Sequence, residues 1–497
     1  MSLSGAPILA AKHSNLAHLI ISKSNSLYNP SGYSAITPTF QDDSLRITPA
    51  NGVTTPTWRS KVAFNLPKVS TLIGKCWVEI VIGAGADTTT QAAGAGLGFD
   101  VDSPVVYVDP VVPPAVDPGA NQPIVAYVKN VGDLIVDSHQ MIYGNVQLQS
   151  HEGRFIALNR RLCCNDVNIE ATNAMVLGAL PPGGDPDTGT EKVLVDAFYR
   201  GVTLQVPLEE LFFVQTRDRH WMPEAYALEG QLIQNLADFG QLVVTRSYSS
   251  ANVSVPAISD IALRYQEVTL SAAEKEMRLS LYKSPEGHTM LFSDLEPQID
   301  NATIRGTGVG GNLTWQIPLD NLRMDMKELI FCIHRVEGDQ AVAGGQGFVN
   351  LGGVGSYAGS YMESDSSVGS ILFSPAENAA LLRSFSSLVP IVDMQLFANG
   401  KQIFSQPISE FVARTNVRKF YHRDSQIADP IYSVSFAQFP EDHKNATGHL
   451  SAAVLGKLVL RLTIANASVN TVYACELWSH SYNVMQSRAG GITKALN

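Results

Sequence analysis

Residues able to do chemistry are present in this chain, but their spacing fits none of the common sites. Gly306-x-Gly308-x-x-Gly311 matches a dinucleotide fingerprint by its letters. That motif needs a strand before it and a helix N-terminus after it, so that backbone amides face a pyrophosphate. The segment that follows, Asn312 to Ile317, has strand character, so the glycines read as a loop; Gly94 to Gly98 fails in the same way. The eleven histidines form no His-Glu-x-x-His and no His-x-His. A zinc site built from Cys163-Cys164 with His151 or His139 is conceivable. Adjacent cysteines rarely ligate one tetrahedral ion together, so packing at a helix end is the preferred reading. No Gly-x-Ser-x-Gly elbow marks a serine nucleophile. Glu274 with Glu276, and Asp325 with Glu328, are close acidic pairs, but a glycosidase needs two carboxylates facing across a cleft, and acids at strand ends are ordinarily solvated. The sequons at Asn252, Asn301, Asn312, Asn445 and Asn466 are about as many as chance gives. No catalytic, cofactor-binding or metal-binding residue is therefore nominated, and the chain reads as something other than an enzyme.

The bulk properties point away from chemistry as well. At 497 residues the chain calls for two domains of similar size, and 45% hydrophobic residues suffice for full cores. Charged residues make up only 16%, against roughly a quarter in an average soluble protein. So little charge implies either long apolar loops or a surface largely hidden against partners, and the second is the preferred reading. A net charge of −11 with no Lys/Arg run argues against direct duplex binding. The five cysteines are odd in number and scattered; Cys76, Cys332 and Cys475 sit in apolar runs as small hydrophobes. A disulfide framework is not expected, which implies a reducing compartment. Met1 to Ala11 lacks a basic n-region, and no apolar run reaches the ~20 residues needed to span a bilayer. A soluble protein without a standard secretion signal is expected.

Strands dominate the elements that would position any site. Strand patterns are predicted at Val62–Leu66, Thr71–Ile82, Ile124–Lys129, Leu134–Val136, Thr203–Val206 and Gln241–Arg246, with short helical pieces at His151–Cys164 and Leu208–Val214. Ser247 to Ser254 is the best linker. Beyond it come strands at Ile261–Leu270, Met277–Leu281, Leu313–Ile317, Leu329–Arg335 and Ile391–Ala398, then the turn Asn399-Gly400 and Gln402–Phe404. Asn-Gly between alternating runs is the strongest short hairpin signal, because both residues tolerate positive φ. Gly83–Ala120 and Gly338–Gly369 are long Gly-rich loops, one in each half. The two halves share a layout, and short strands at regular spacing point to sandwiches or jelly rolls.

Near the C-terminus, Tyr432, Val434 and Phe436 alternate with serines until Pro440 ends the strand. A polar crossing follows, and then Leu458, Leu460, Leu462 and Ile464 face a core while Lys457, Arg461 and Thr463 face out. This segment, IYSVSFAQFPEDHKNATGHLSAAVLGKLVLRLTI, resembles the C-terminal signature of the major capsid proteins of nucleocytoplasmic large DNA viruses. The matching positions are Tyr432, Ser435, Phe436, Pro440, Glu441, His443, Gly448, Leu458 and Leu460. In the same order, VDMQLFANGKQIFSQPISEF resembles the family's strand and Asn-Gly hairpin. ALRYQEVTLSAAEKEMRLSLYKSPEGHTML, with Ser284, Pro285 and His288, resembles the start of its second jelly roll. WSHSYNVMQSRAGGITKALN, with Tyr482-Asn483-Val484 and Gly490-Gly491, resembles its tail. In the first half only VPLEELFF matches. Ala446-Thr447-Gly448 stands where the family usually has Pro-Ser-Gly, and Ser451 where it usually has Asn, which leaves the viral lineage open between phycodnavirus-like and iridovirus-like members.

The resemblance implies an all-β chain of two consecutive eight-stranded jelly rolls with long loop insertions and short helices. The expected division is an N-terminal arm at 1–24, a first jelly roll at 25–249, a second at 250–487 and a C-terminal tail at 488–497. It implies a homotrimer forming a pseudo-hexagonal capsomer that tiles the icosahedral shell of a large double-stranded DNA virus, with the Gly-rich loops as its outer crown. Implied partners are the chain itself, neighbouring capsomers, minor capsid and penton proteins and, through minor proteins, an internal membrane layer; no direct nucleic-acid contact and no cofactor is implied. The expected location is the virion, assembled in host cytoplasm or a viral factory. Two alternatives are a related double jelly-roll scaffold or minor capsid protein, and, more remotely, a carbohydrate-active β-sandwich enzyme or lectin. The latter would use sugar-stacking tryptophans among Trp58, Trp77, Trp221, Trp315 and Trp478.

Overall fold

The computed structural model describes the main spans 40–68, 72–87, 124–127, 131–152, 197–208, 229–246, 253–270, 272–284, 288–297, 302–305, 312–337, 391–404, 431–440, 445–464, 472–488 and 491–494, with shorter pieces between them. The arm at 1–24, most of both Gly-rich loops, Cys163-Cys164 and Gly306–Gly311 lie outside the described residues.

Alternation builds the strands. The first half supplies β1 (Phe40–Ile47), β2 (Lys61–Asn65), β3 (Leu72–Ile82), β4 (Val136–Tyr143), β5 (Val146–Glu152), β6 (Val202–Pro207), β7 (Gly230–Leu236) and β8 (Ile258–Thr269), and apolar residues recur at every second position most plainly in β2, β3 and β6. These strands form two antiparallel sheets, ordered β1-β8-β3-β6 and β2-β7-β4-β5. The second half supplies β9 (His288–Pro297), β10 (Leu313–Pro318), β11 (Asp325–Glu337), β12 (Ile391–Ala398), β13 (Lys401–Gln402), β14 (Ile431–Ser435), β15 (Leu458–Ile464) and β16 (Val472–Arg488). Its sheets are ordered β9-β16-β11-β14 and β10-β15-β12-β13. Adding eight to each strand number converts the first pair of sheets into the second. This is the jelly-roll order, eight strands in two Greek keys, made twice.

The pairing corrects several expectations. The strand at 258–269, expected to open the second half, is hydrogen-bonded between β1 and β3 and closes the first jelly roll. Met277–Leu281 is helical, inside α2 (Ala272–Lys283). Its run Ala-Ala-Glu-Lys-Glu-Met-Arg-Leu consists of strong helix formers with no β-branched residue, so propensity outweighs a brief alternation. The run expected as a strand at Leu134–Val136 splits: α1 (Val131–Leu134) precedes β4. His151, expected in a helix, lies in strand β5. The described residues of Leu208–Val214 (208 and 210–212) form turns and not a helix. The Asn399-Gly400 turn has φ values of 48° and 78°, the pair of positive angles that a two-residue hairpin joining β12 to β13 requires.

Two apolar cores result. Leu458, Leu460, Leu462 and Ile464 are all buried in the second, together with Tyr432 and Val434. Each such side chain is worth roughly 1.5–3 kcal/mol as an upper bound. The first core does not stop at the first jelly roll. It continues into Tyr282 of α2, Met290 and Phe292 of β9, Met485 of β16 and Ile492 beyond it. Cys76 and Cys475 are buried free thiols, one in each core, and burial raises both above the usual thiol range.

Candidate functional site

The polar side chains that the fold buries gather where the two jelly rolls meet. On β5, the Gln149 amide donates through Nε2 to the backbone oxygens of Glu210 and Ser293, each at 3.2 Å, and its Oε1 accepts from the Phe212 N–H at 2.8 Å. One buried amide thus ties β5, the turn after β6 and β9 of the second half together. A Gln spent on carbonyl and amide groups that packing would otherwise strand is a satisfied core group.

Beside it runs a polar row. Gln234 on β7 lies opposite His139 on β4, which lies opposite His151 on β5, so the three side chains share one sheet face. All three are buried, as is Glu210. His151 Nδ1 is 3.2 Å from His139 Nε2, and the same His139 Nε2 is 3.1 Å from Glu210 Oε1. Among the described residues, His139 Nδ1 and both amide atoms of Gln234 have no hydrogen-bond partner. Burial pushes His139 down to about 3. His151 is held well below the usual imidazole range by burial, then by the neighbouring His139 and Lys494.

Phe155 connects this row to the second jelly roll. Its ring stacks on His151 at 6.0 Å, meets His480 edge-on at 5.7 Å and lies 6.2 Å from Trp478. Trp478 Nε1 donates to Glu152 Oε2 at 3.4 Å. His480 Nδ1 is 3.0 Å from Glu328 Oε1, whose other oxygen accepts from Ser433 Oγ at 3.4 Å. On the same sheet Lys327 Nζ donates to Ser293 Oγ at 2.8 Å and to the Pro440 oxygen at 2.5 Å.

A strap closes the seam. Gly491–Lys494, within the expected tail, forms a strand that folds back on β16. Ile492 enters the first core. Lys494 Nζ lies 2.5 Å from Asp294 Oδ2, which also accepts from Asn483 Nδ2 at 3.1 Å. Burial raises the Asp294 carboxyl despite the opposing pull of Lys494 and Asn483.

The residues singled out by sequence fare differently. His139 and His151 come together, but their direct neighbour is Glu210, while Cys163-Cys164 falls outside the described residues. Among the described residues no group of three or more His, Cys, Asp or Glu is arranged to hold a metal ion. Asp325 and Glu328 diverge: Asp325 is 3.9 Å from His449 at the surface, whereas Glu328 is buried on His480. Glu276 is exposed on α2. Asn312 begins the approach to β10, so a strand and not a helix follows the Gly306–Gly311 segment. Trp221, Trp315 and Trp478 are buried, and Trp58 and Trp77 half-buried, which leaves no open tryptophan platform among them. Sequence reading missed the seam because it depends on strand register; the only signal was an unusual density of polar residues in Glu476–Asn483. What the arrangement can do is hold two β-sandwiches in one fixed relation and store or take up protons there.

No protein-family model matches the chain. No curated protein sequence matches it. Solved structures do. The PBCV-1 VP54 structure, fitted into a reconstruction of the virophage Sputnik, is similar with a TM-score of 0.58 and 14% identity over 92% of this chain and 97% of that one. The Faustovirus major capsid protein matches with a TM-score of 0.58 and 11% identity over 98% of this chain and 97% of that one. The Sputnik virophage structure matches with a TM-score of 0.52 and 9% identity, covering 92% and 89%. The chain has the double jelly-roll fold of these proteins along nearly its whole length.

Proposed function

We propose that this chain is a major capsid protein, the structural building block of the shell of a large double-stranded DNA virus. The observation that carries the reading is the tandem repeat of one jelly-roll strand order, β1–β8 then β9–β16, in a chain whose fold is similar to that of viral capsid proteins over 92% to 98% of its length. The function is geometric. Two similar domains in each chain let a three-fold assembly present six jelly rolls, so a homotrimer has a pseudo-hexagonal outline and can fill a hexagonal lattice. The low charge content, 16%, fits large contacts within and between such trimers.

In this reading the division between the jelly rolls falls in α2, with the first ending at β8 and the second beginning at β9. The partners are other copies of the chain, neighbouring capsomers, minor capsid and penton proteins and, through minor proteins, an internal membrane layer. The chain works in the virion, after assembly in host cytoplasm or a viral factory, and performs no catalysis there. Protein stoichiometry of purified particles tests the proposal: this chain is expected to be the most abundant band. Its presence as a trace component, or only in immature particles, would place it with minor capsid or scaffold proteins.

A further inference from the structure

We infer that the seam between the jelly rolls is an acid-operated latch: protonation of the buried His139–His151 pair frees the strap Gly491–Lys494 and loosens the contact between the two halves. His139 Nε2 faces both His151 Nδ1, at 3.2 Å, and Glu210 Oε1, at 3.1 Å. With the pair neutral, one imidazole N–H donates to the other ring's lone pair. With both rings protonated, two N–H groups point at each other across that distance, and the contact has to break.

The charges facing the pair come from every element around it. Glu210, from the turn after β6, is the one carboxylate in direct reach among the described residues and can balance one imidazolium. Gln234 on β7 is uncharged, and no partner fixes its amide among the described residues. Lys494, on the strap, acts on His151 as a like charge and is itself held by Asp294 of β9. Glu152 of β5 is turned to Trp478, and Glu328 of β11 is engaged by His480 beyond the Phe155 ring. Lys327 of β11 is directed to Ser293 and Pro440. A second positive charge on the row therefore has Lys494 against it and, among the described residues, no second carboxylate at contact distance. The strap is a four-residue strand that pairs with β16 alone among the described strands, so its other anchors are Ile492 in the first core and the Lys494–Asp294 pair.

The direction in pH follows from linkage. Both histidines titrate lower in the closed seam than the ~6.5 of a free imidazole. The closed form is therefore fully favoured above about pH 6.5 and loses ground as pH falls, by up to about tenfold per pH unit for each histidine and a hundredfold for the two. Asp294, raised by burial, works in the opposite sense, favouring the closed form as pH falls through its value. A variant that removes only the histidines separates the two.

Hydrogen exchange of the full-length protein, corrected for intrinsic rates, reads the latch directly at about pH 7.5 and about pH 5.5. Peptides covering 146–152 and 491–494 are expected to lose at least about tenfold in protection at the lower pH, while the core strand at 458–464 keeps its own. In the double variant His139→Gln, His151→Gln the loss is expected to vanish. If that variant does not fold, exchange at the imidazole Cε1 positions of the unmodified protein gives the same answer. Titration of both rings near 6.5 with unchanged seam protection overturns the inference, as does an equal loss of protection on adding a chelator at the higher pH, which would make the cluster a metal site.

Discussion

The Tyr432 hydroxyl on β14 accepts a hydrogen bond at 2.9 Å from the backbone N–H of Ile391, the first residue of β12, and so joins the two sheets of the second jelly roll. Tyr432 is fully buried, and its ring stacks at 5.4 Å on Phe331, its directly opposed neighbour on β11. Tyr432→Phe keeps the ring and strands a buried N–H. The expected cost is about 1–3 kcal/mol, seen as a lower denaturant midpoint with an unchanged slope for the second-half transition.

Glu328 and His480 form a buried pair at 3.0 Å in the seam. Removing one partner of such a pair costs about 3–5 kcal/mol, whereas replacing both with apolar residues can be neutral. Glu328→Leu is therefore expected to destabilise strongly, and Glu328→Leu with His480→Leu to recover most of the loss. A double-mutant cycle on thermal or denaturant midpoints measures the coupling.

Lys494→Met leaves Asp294 buried without its cation. The carboxyl, already raised by burial, rises further. A carboxyl raised in the folded state contributes stability that is present at low pH and lost as pH rises through the folded value. The variant is thus expected to lie close to the parent protein near pH 5 and fall below it by about 3–5 kcal/mol near pH 8, which a pH series of melting curves would reveal.

Gly448, one of the positions that carried the family resemblance, has φ +139°, and a Cβ there would lie 2.7 Å from the Phe436 carbonyl oxygen. Gly448→Ala is expected to cost about 1–3 kcal/mol through strain alone and more from that clash. Gly52 has φ +72° but open space around it, so Gly52→Ala should show only the strain. Comparing the two variants by denaturant unfolding separates clash from backbone preference.

Much of the second half was legible because its strands obey strict alternation. Leu458 to Ile464 buries every second residue, and Asn399-Gly400 adopts the two positive φ angles its letters imply. The closing strand of the first jelly roll was misread because chain order suggested a fresh start after a polar linker, while its partners, β1 and β3, lie some two hundred residues earlier. Helix α2 was misread where Met277, Leu279 and Leu281 gave a brief alternation inside a run of helix formers. The seam was legible only as a density of polar letters in Glu476–Asn483. Ser479, His480, Ser481 and Asn483 on β16 are buried, yet polar letters in a strand ordinarily mean a wet face. Only the packing of one jelly roll on the other makes that face interior, and only strand register sets His139 opposite His151.

In the proposed capsid role, two jelly rolls in one chain let a three-fold assembly present a six-fold outline. Native mass of the purified full-length protein tests it most directly. The expected result is a stable trimer, three times the 53.6 kDa of one chain, persisting on dilution. A monomer under the same conditions would contradict the account.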